Sequence, residues 1–329
     1  MIRVLHTLAA PDGTTRYVDH MIGSAAPDVQ ILTFSWGRAL FGRYDLLHVH
    51  WPEYLVRHRT HVGAFAKAIA LRLLLARLVL LHTPIVRTVH NVMPHEHGSA
   101  RERNLLEALD RRTSLWIRLN PTTELPVGVR SVNIPHGHYR SVYPGADHEP
   151  VAGRILQFGL LRPYKGVEAL IRAFRELDDS STSLRIVGKP YSPSYERLIC
   201  ALSSGTPAIS TKLEFVPDAE LAEEIRQAEL VVLPYVEMHN SGAILVALSL
   251  GRPVLAPRTH ANVVLAEEVG DGWISFFTDS LEPGALELAL LAARSSERSA
   301  APDLSARDWS IVGQRHRDAY LQVLEQRHA

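Results

Sequence analysis

Arg162 and Lys165 stand three residues apart in FGLLRPYKG, residues 158–166, where an apolar run ends in glycine and a tight turn begins. The amphipathic stretch GVEALIRAFREL follows, so the two cations sit beside the backbone N–H groups of a helix start. Guanidinium, ammonium and amide donors together suit a diphosphate. A second place of this kind is VVLPYVEMHNSGAILVALSLG, residues 231–251. There an apolar strand closes on Pro234 and Tyr235, and Asn240 or Ser241 caps a helix that Gly251 stops. Ser241 and Gly242 are small enough for an anion to reach the backbone, and the helix dipole favours its charge. A third segment, LEFVPDAEL, carries a loop through Phe215 and Val216 to Asp218 that would serve either as a wall for a nucleobase or as an ordinary connection.

Two other loops carry groups able to move a proton. HVHWPEY holds His50 and Glu53, TVHNVMPHEH holds His90, Glu96 and His97, and Asp12 stands beside Gly13 near the start of the chain. His48 and His50 share one strand face, and with His90, His95 and His97 they form a set that zinc would accept. Among 17 histidines such pairs arise readily, and no carboxylate–histidine helix signature accompanies them, so the expectation is no metal.

These loops need a scaffold. Short apolar runs (RVLHTL, VQILTF, LLHVHW, IVRTVHN, LWIRLN, SVNIP, then RILQFG, LRIVG, AISTKLEFV, LVVLPY, PVLAP, WISFF) alternate with longer amphipathic ones, the pattern of an α/β chain with parallel sheets covered by helices. At 329 residues, two Rossmann-like domains are expected, hinged in the polar stretch YRSVYPGADHEPVAG, residues 139–153. That places a first domain over 1–145 and a second from 152. Ligands in such sheets bind at the carboxyl ends of the strands, which makes a cleft between facing domains the expected site.

Lys plus Arg equals Asp plus Glu at 35 each, which argues against nucleic acid as a partner. The single cysteine, Cys200, excludes an internal disulfide, and the opening MIRVLHTLAAP reads as a strand rather than a leader, so a cytoplasmic location is expected. AFAKAIALRLLLARLVLLH, residues 64–82, is the most apolar stretch, but Lys67, Arg72 and Arg77 point in three directions and argue against a membrane span. It reads as a helix packed in a domain, or, with the basic VRHRTH before it, as a peripheral membrane contact.

In order and spacing these segments resemble a GT-B glycosyltransferase close to family 4 of the sugar-nucleotide-dependent enzymes. GTTRYVDHM is similar to the family's glycine loop and first helix, TVHN to its histidine loop, IPHGHY to its IPNG segment, and FGLLRPYKG to its phosphate-binding motif. FVPDAELAEEIRQAELVVLP is similar to its base-binding region, and ARDWSIVGQRHRDAYLQVL to the final helix that crosses back onto the first domain. The resemblance implies a donor domain over 152–305 and a returning helix over 306–329. It also implies Gly13, Arg162, Lys165, Phe215, Val216, Tyr235, Asn240, Ser241 and Gly242 as donor-binding residues, and His90 as the histidine near the donor sugar.

The chain departs from the family at three places. Leu160 follows Gly159 where arginine is usual, and Met238 and Val246 stand where two glutamates are usual, with Glu237 one residue out of step. In the family the later glutamate holds the donor ribose and the earlier one accompanies retention of configuration. HVHWPE, HNVMPHE and HNSGA resemble more closely the bacterial GDP-mannose-dependent β-mannosyltransferases of exopolysaccharide assembly, which invert.

The expected function is therefore metal-independent transfer of a hexose, mannose from GDP-mannose in that narrower resemblance, to a lipid-linked or glycoside acceptor. The sugar nucleotide is a co-substrate and no cofactor is expected. Glu96, Glu53 or Asp12 would serve as the base. A sugar-nucleotide epimerase of the same fold and a non-catalytic nucleotide-sugar binder are the alternatives. No G-x-G-x-x-G follows any strand, which argues against a dehydrogenase.

Overall fold

The computed structural model describes the chain except residues 12–15, 91–98, 144–148, 178, 237, 239, 296–297 and 327–329. Positions 144–148 of the linker candidate thus lie outside the described residues. The chain divides into two compact units, Met1–Gly137 with Ala306–Ala329, and His138–Ser305.

The first unit contains β1 (Ile2–His6), α1 (Arg16–Gly23), β2 (Val29–Leu32), α2 (Trp36–Phe41), β3 (Leu46–Val49), α3 (His61–Leu80), β4 (Ile85–Val89), α4 (Ala100–Asp110), β5 (Thr113–Arg118) and β6 (Ser131–Asn133). Its strands form one parallel sheet in the order β2-β1-β3-β4-β5-β6. Successive strand residues face opposite sides, and both sides are apolar here. Val4, Leu46 and Val86 join one core cluster with residues of α1 and of the chain's last helix, Trp309–Glu325. Leu5, Leu47 and Ile85 join another with α3 and α4. This double burial is why the strands read as continuous apolar runs.

The second unit repeats the plan with β7 (Arg154–Phe158), α5 (Val167–Arg175), β8 (Ser183–Val187), α6 (Pro193–Ser203), β9 (Ile209–Lys212), α7 (Asp218–Arg226), β10 (Leu230–Val232), α8 (Gly242–Ser249), β11 (Val254–Pro257), α9 (His260–Val269), β12 (Ile274–Phe277) and α10 (Pro283–Arg294). The parallel order is β12-β11-β10-β7-β8-β9. The last helix is α11. It seats on the first unit because Gly313 has no Cβ, which would fall 1.9 Å from the Ser24 carbonyl. Arg317 Nε reaches both oxygens of Asp28, at 2.7 and 2.8 Å.

Helix starts follow local sequence. Ser35, Thr60, Ser99, Ser192 and Thr259 each accept a bond from the amide three residues on, and Asp308 accepts from Ser310. Both sheets also reverse direction once. Between β1 and β3, and between β7 and β10, the connections leave toward opposite edges and open a crevice at the carboxyl ends.

One charged cluster ties α7 to the second sheet. Glu224 is buried and takes bonds from Arg154 of β7 at 2.5 Å and Arg185 of β8 at 2.7 Å. Burial pushes its carboxyl up, but the two guanidiniums outweigh that and hold it below the ordinary range. Replacing Glu224 with Ala should lower unfolding free energy by about 1.5–3 kcal/mol, because two cations lose their shared partner. Urea unfolding monitored in the second unit measures this, and an unchanged midpoint would deny the cluster a structural role.

Candidate active site

β7 and β10 are neighbours, so the loops that follow them meet at the switch point of the second sheet. After β7 the chain turns at Gly159 with φ of 103°, and a Cβ there would lie 3.3 Å from Lys165 Nζ. Arg162 is exposed on extended backbone, and Pro163–Lys165 form a single 3₁₀ turn. Gly166 then takes φ of 66°, and a Cβ would fall 1.9 Å from the Pro234 carbonyl. Glycine alone lets the two loops close on each other.

Across that contact the Lys165 ammonium lies 5.1 Å from the centre of the Tyr235 ring. The Tyr235 hydroxyl is hydrogen-bonded to Ser241, which begins α8 without capping it through its side chain. The first amides of α8 therefore keep their capacity for an anion, and the Gly242 backbone is open to close approach except where a Cβ would meet the Tyr139 hydroxyl at 3.4 Å. Burial, and then the charge of Arg162, lower Lys165 to about 8. Two neighbouring cations with a helix start behind them have the chemistry that suits a diphosphate.

The other residues expected to bind the donor fall at different depths. Val216 is buried in the same core cluster as Tyr235, Met238 and Ile244, whereas its neighbour Phe215 is 74% exposed. Asn240 precedes the start of α8. Met238 and Val246 are both buried in that core, so neither position offers a carboxylate or an exposed polar group to a ribose. Gly13, Asp12, Glu96 and Glu237 lie outside the described residues, as do His95 and His97. Glu53 lies on the 3₁₀ turn Pro52–Leu55 just after β3.

The switch point of the first sheet is lined by imidazoles. His48 Nε2 is 2.8 Å from Thr88 Oγ1, and His48 Nδ1 is 2.8 Å from the Tyr320 hydroxyl. That hydroxyl lies 3.2 Å from His6 Nε2, His6 Nδ1 lies 2.9 Å from His50 Nε2, and His50 Nδ1 lies 3.1 Å from His90 Nε2. These five bonds in series join six groups drawn from β1, β3, β4, α11 and the loops after β3 and β4.

A direction can be assigned to this series. Among the described residues Thr88 Oγ1 has one side-chain partner, so its proton goes to His48; otherwise a buried hydroxyl proton would be orphaned at about 1–3 kcal/mol. Each later group then donates onward, through His48 Nδ1, Tyr320, His6 Nδ1 and His50 Nδ1. His90 accepts at Nε2 and carries its own proton on Nδ1. The chain works only if every imidazole is neutral, since an imidazolium would set donor against donor.

Burial keeps them neutral. It lowers His6 and His90 to about 3, with smaller contributions from neighbouring histidines, and holds His48 and His50 well below the ordinary value. His136 and His316 fall to about 4 for the same first reason. His6, His48 and His50 also place ligand atoms within 4.8 Å of one another, close enough for a metal ion. All six of their ring nitrogens are engaged in the bonds just described, so a metal would have to break the chain.

Sequence reasoning singled out His48, His50 and His90 but missed His6, Thr88, Tyr320 and His316. The available signals were a histidine at the end of the first strand and the i, i+4 pair His316 and Tyr320 on the last helix.

Two pH dependences follow. The buried imidazoles stay neutral in the folded unit, while the unfolded chain protonates them near pH 6.5, so unfolding takes up protons below that pH. Stability present above pH 6.5 should be lost as pH falls, with a slope exceeding ~1.4 kcal/mol per pH unit between pH 6 and 5, before carboxylates titrate. Urea midpoints across that window test this, and a flat profile would mean charged imidazoles. If Lys165 holds a diphosphate, it does so as the ammonium. Affinity for a nucleoside diphosphate should therefore weaken roughly tenfold per pH unit above about pH 8, and Lys165→Arg should abolish that decline. Titration calorimetry reads both.

Comparison with known proteins bears on this geometry. Residues 152–292, which include the loops after β7 and β10, match the family described as glycosyl transferases group 1. A GDP-mannose:glycolipid 4-beta-D-mannosyltransferase of Xanthomonas campestris pv. campestris is 45% identical over 325 residues, covering 98% of this chain and 93% of that protein. The fold is similar to that of Anabaena HepE in complex with UDP and glucose (TM-score 0.64, 17% identity, 98% and 100% of the two chains). It is also similar to the catalytic domain of Arabidopsis thaliana starch synthase IV bound to ADP and acarbose (TM-score 0.61, 11% identity, 98% and 99%). A relative of that identity over nearly the whole length, together with the family match and the likeness of fold, establishes that this chain belongs to the GT-B glycosyltransferases of group 1 and is a hexosyltransferase.

Proposed function

We propose that this protein transfers mannose from GDP-mannose to a lipid-linked glycoside, forming a β-linkage with inversion, on the cytoplasmic face of a membrane. The observation that carries the reading is the 45% identity to the Xanthomonas enzyme, which spans the loops of both switch points. The donor's α-linked mannose becomes β-linked by a single displacement. The acceptor hydroxyl oxygen attacks C1, the C1–O bond breaks with its electrons passing to the diphosphate, and a base takes the hydroxyl proton.

Arg162, Lys165 and the first amides of α8 neutralise the leaving diphosphate, the work a metal does in other glycosyltransferases. His90, neutral and protonated on Nδ1, serves as a hydrogen-bond donor to the sugar rather than as the base. Glu53 is the carboxylate we assign as base, with Glu96 and Asp12 as the other candidates. Phe215 offers its exposed ring to the nucleobase. With Met238 and Val246 in the glutamate positions, the ribose hydroxyls are left to backbone groups, and the carboxylate that accompanies retention is missing. That loss also supports a second reading, a non-catalytic binder of nucleotide sugar; an epimerase is the third.

Incubation with labelled sugar nucleotides and a glycolipid acceptor separates the three: mannosylated lipid supports transfer, isomerised donor an epimerase, and binding without turnover the degenerate reading. Chelation by EDTA should leave transfer unchanged. Arg162→Ala should weaken GDP-mannose binding by about 1.5–3 kcal/mol. Glu53→Gln should lower kcat by about 10²–10⁴-fold with donor affinity kept, and an unaltered kcat would move the base to Glu96 or Asp12.

A further inference from the structure

In the series that runs from Thr88 to His90, the interior groups cannot choose their orientation one at a time. His48, Tyr320, His6 and His50 each make two of its hydrogen bonds, one on either side. A neutral imidazole has one N–H and one lone pair, so when any interior group points one way its neighbours must follow. Thr88 and these four groups are at most 1% exposed, so solvent supplies no competing partner. His316 packs near His48, with ring centres 5.8 Å apart, but gives its Nδ1 proton to the Val312 carbonyl and stands outside the series.

Two states therefore remain, and they differ at the ends. In the first, every proton lies toward His90 and the four histidines carry theirs on Nδ1. In the second, every proton lies toward Thr88 and the histidines carry theirs on Nε2, the nitrogen a free histidine side chain favours. Thr88 opposes that preference. In the second state its hydroxyl accepts from His48 and its own proton is orphaned, a penalty that shifts the balance about 5- to 150-fold toward the first. Turning the His90 ring over would exchange its nitrogens and undo the bias. Trp51 stacks on that ring, with centres 4.1 Å and planes 21° apart, and Tyr17 meets it edge-on at 4.9 Å, which holds it against turning.

We propose that Thr88 and Tyr320 are positioning residues for sugar transfer: acting through His48, His6 and His50, they hold the His90 proton on Nδ1, so that this nitrogen offers its ligand a hydrogen bond and never takes one. The ligand it selects is a sugar oxygen with a lone pair to give, not a hydroxyl that must donate. Thr88 sets the polarity. Tyr320 is the link supplied by α11, and without it the segment holding His90 is cut off from Thr88. The purpose rests on the reading of His90 as the histidine near the donor sugar, whereas the tautomer does not.

Long-range ¹H–¹⁵N correlation spectra of the full chain, labelled with ¹⁵N-histidine, read which nitrogen of each ring is protonated, and His90→Gln identifies the His90 signals. Wild type should carry the His90 proton on Nδ1. Thr88→Val, which removes the hydroxyl at little change of shape, should move it to Nε2, as should Tyr320→Phe, and Thr88→Ser should keep it on Nδ1. By calorimetry Thr88→Val should weaken GDP-mannose binding about 3- to 10-fold and leave GDP binding unchanged, and Thr88→Ser should bind both as wild type does. Wild-type His90 protonated on Nε2, or an unmoved proton in Thr88→Val, would overturn the proposal. So would a moved proton with no loss for GDP-mannose, or equal losses for GDP and GDP-mannose, the mark of a merely structural defect. Wild type without affinity for GDP-mannose would refute the donor reading instead, and the imidazole spectra would still decide between the two states.

Discussion

A parallel sheet buried on both faces leaves little room for polar side chains along its length, so most polar chemistry is driven toward the carboxyl edge, where the loops begin. Both units of this protein obey that constraint. Val4 and Leu5, or Leu46 and Leu47, are neighbours that disappear into opposite cores. Gly159, Arg162 and Lys165 follow a strand whose Ile155 and Leu156 do the same. Reversal of strand order then decides which edge position is open enough to hold a ligand.

The two crevices solve opposite electrostatic problems. In the second unit, Arg162 and the half-buried Lys165 gather positive charge near a helix start, and burial together with the charge of Arg162 lowers the affinity of Lys165 for its proton. In the first unit, charge is excluded. His6, His48, His50 and His90 are too deeply buried to be imidazolium, and Tyr320 and Thr88 complete a series that Thr88 opens as donor and His90 closes as acceptor, each group between them donating once and accepting once. Holding an anion, as we propose for the second crevice, needs charge; a series of hydrogen-bonded imidazoles needs fixed tautomers. The same apolar surroundings serve both, because low dielectric strengthens the attraction of paired opposites and penalises lone charge.

α3 shows what happens when the constraint is relaxed. A helix that covers a sheet needs one apolar stripe, and this one has two. Its inner stripe accounts for the packing of the first unit. The outer one, with Val62, Phe65, Leu73 and Leu80, has no role in that core. No described helix is long and apolar enough to cross a membrane.

Much of the architecture was legible in the residues themselves. Apolar runs bounded by polar loops marked the strands because double burial leaves little choice of residue, and Ser, Thr or Asp at helix starts marked the caps because an unpaired amide needs an acceptor. Gly159 marked the end of an apolar run, whereas the close approach at Gly166 emerged only from the fold. The loop after β7 could be read because its cations, its glycine and its helix lie within a few residues of one another. What only the tertiary structure decided depends on distance along the chain. Tyr320 and His6 are 314 positions apart and touch through one hydrogen bond, and Glu224 of α7 draws Arg154 and Arg185 from two strands. Phe215 and Val216 are adjacent in sequence yet lie on opposite sides of the surface. Local spacing records what a residue's neighbours require of it. Which remote groups share a desolvated space, and so must be neutral, paired or aligned, is set by packing alone.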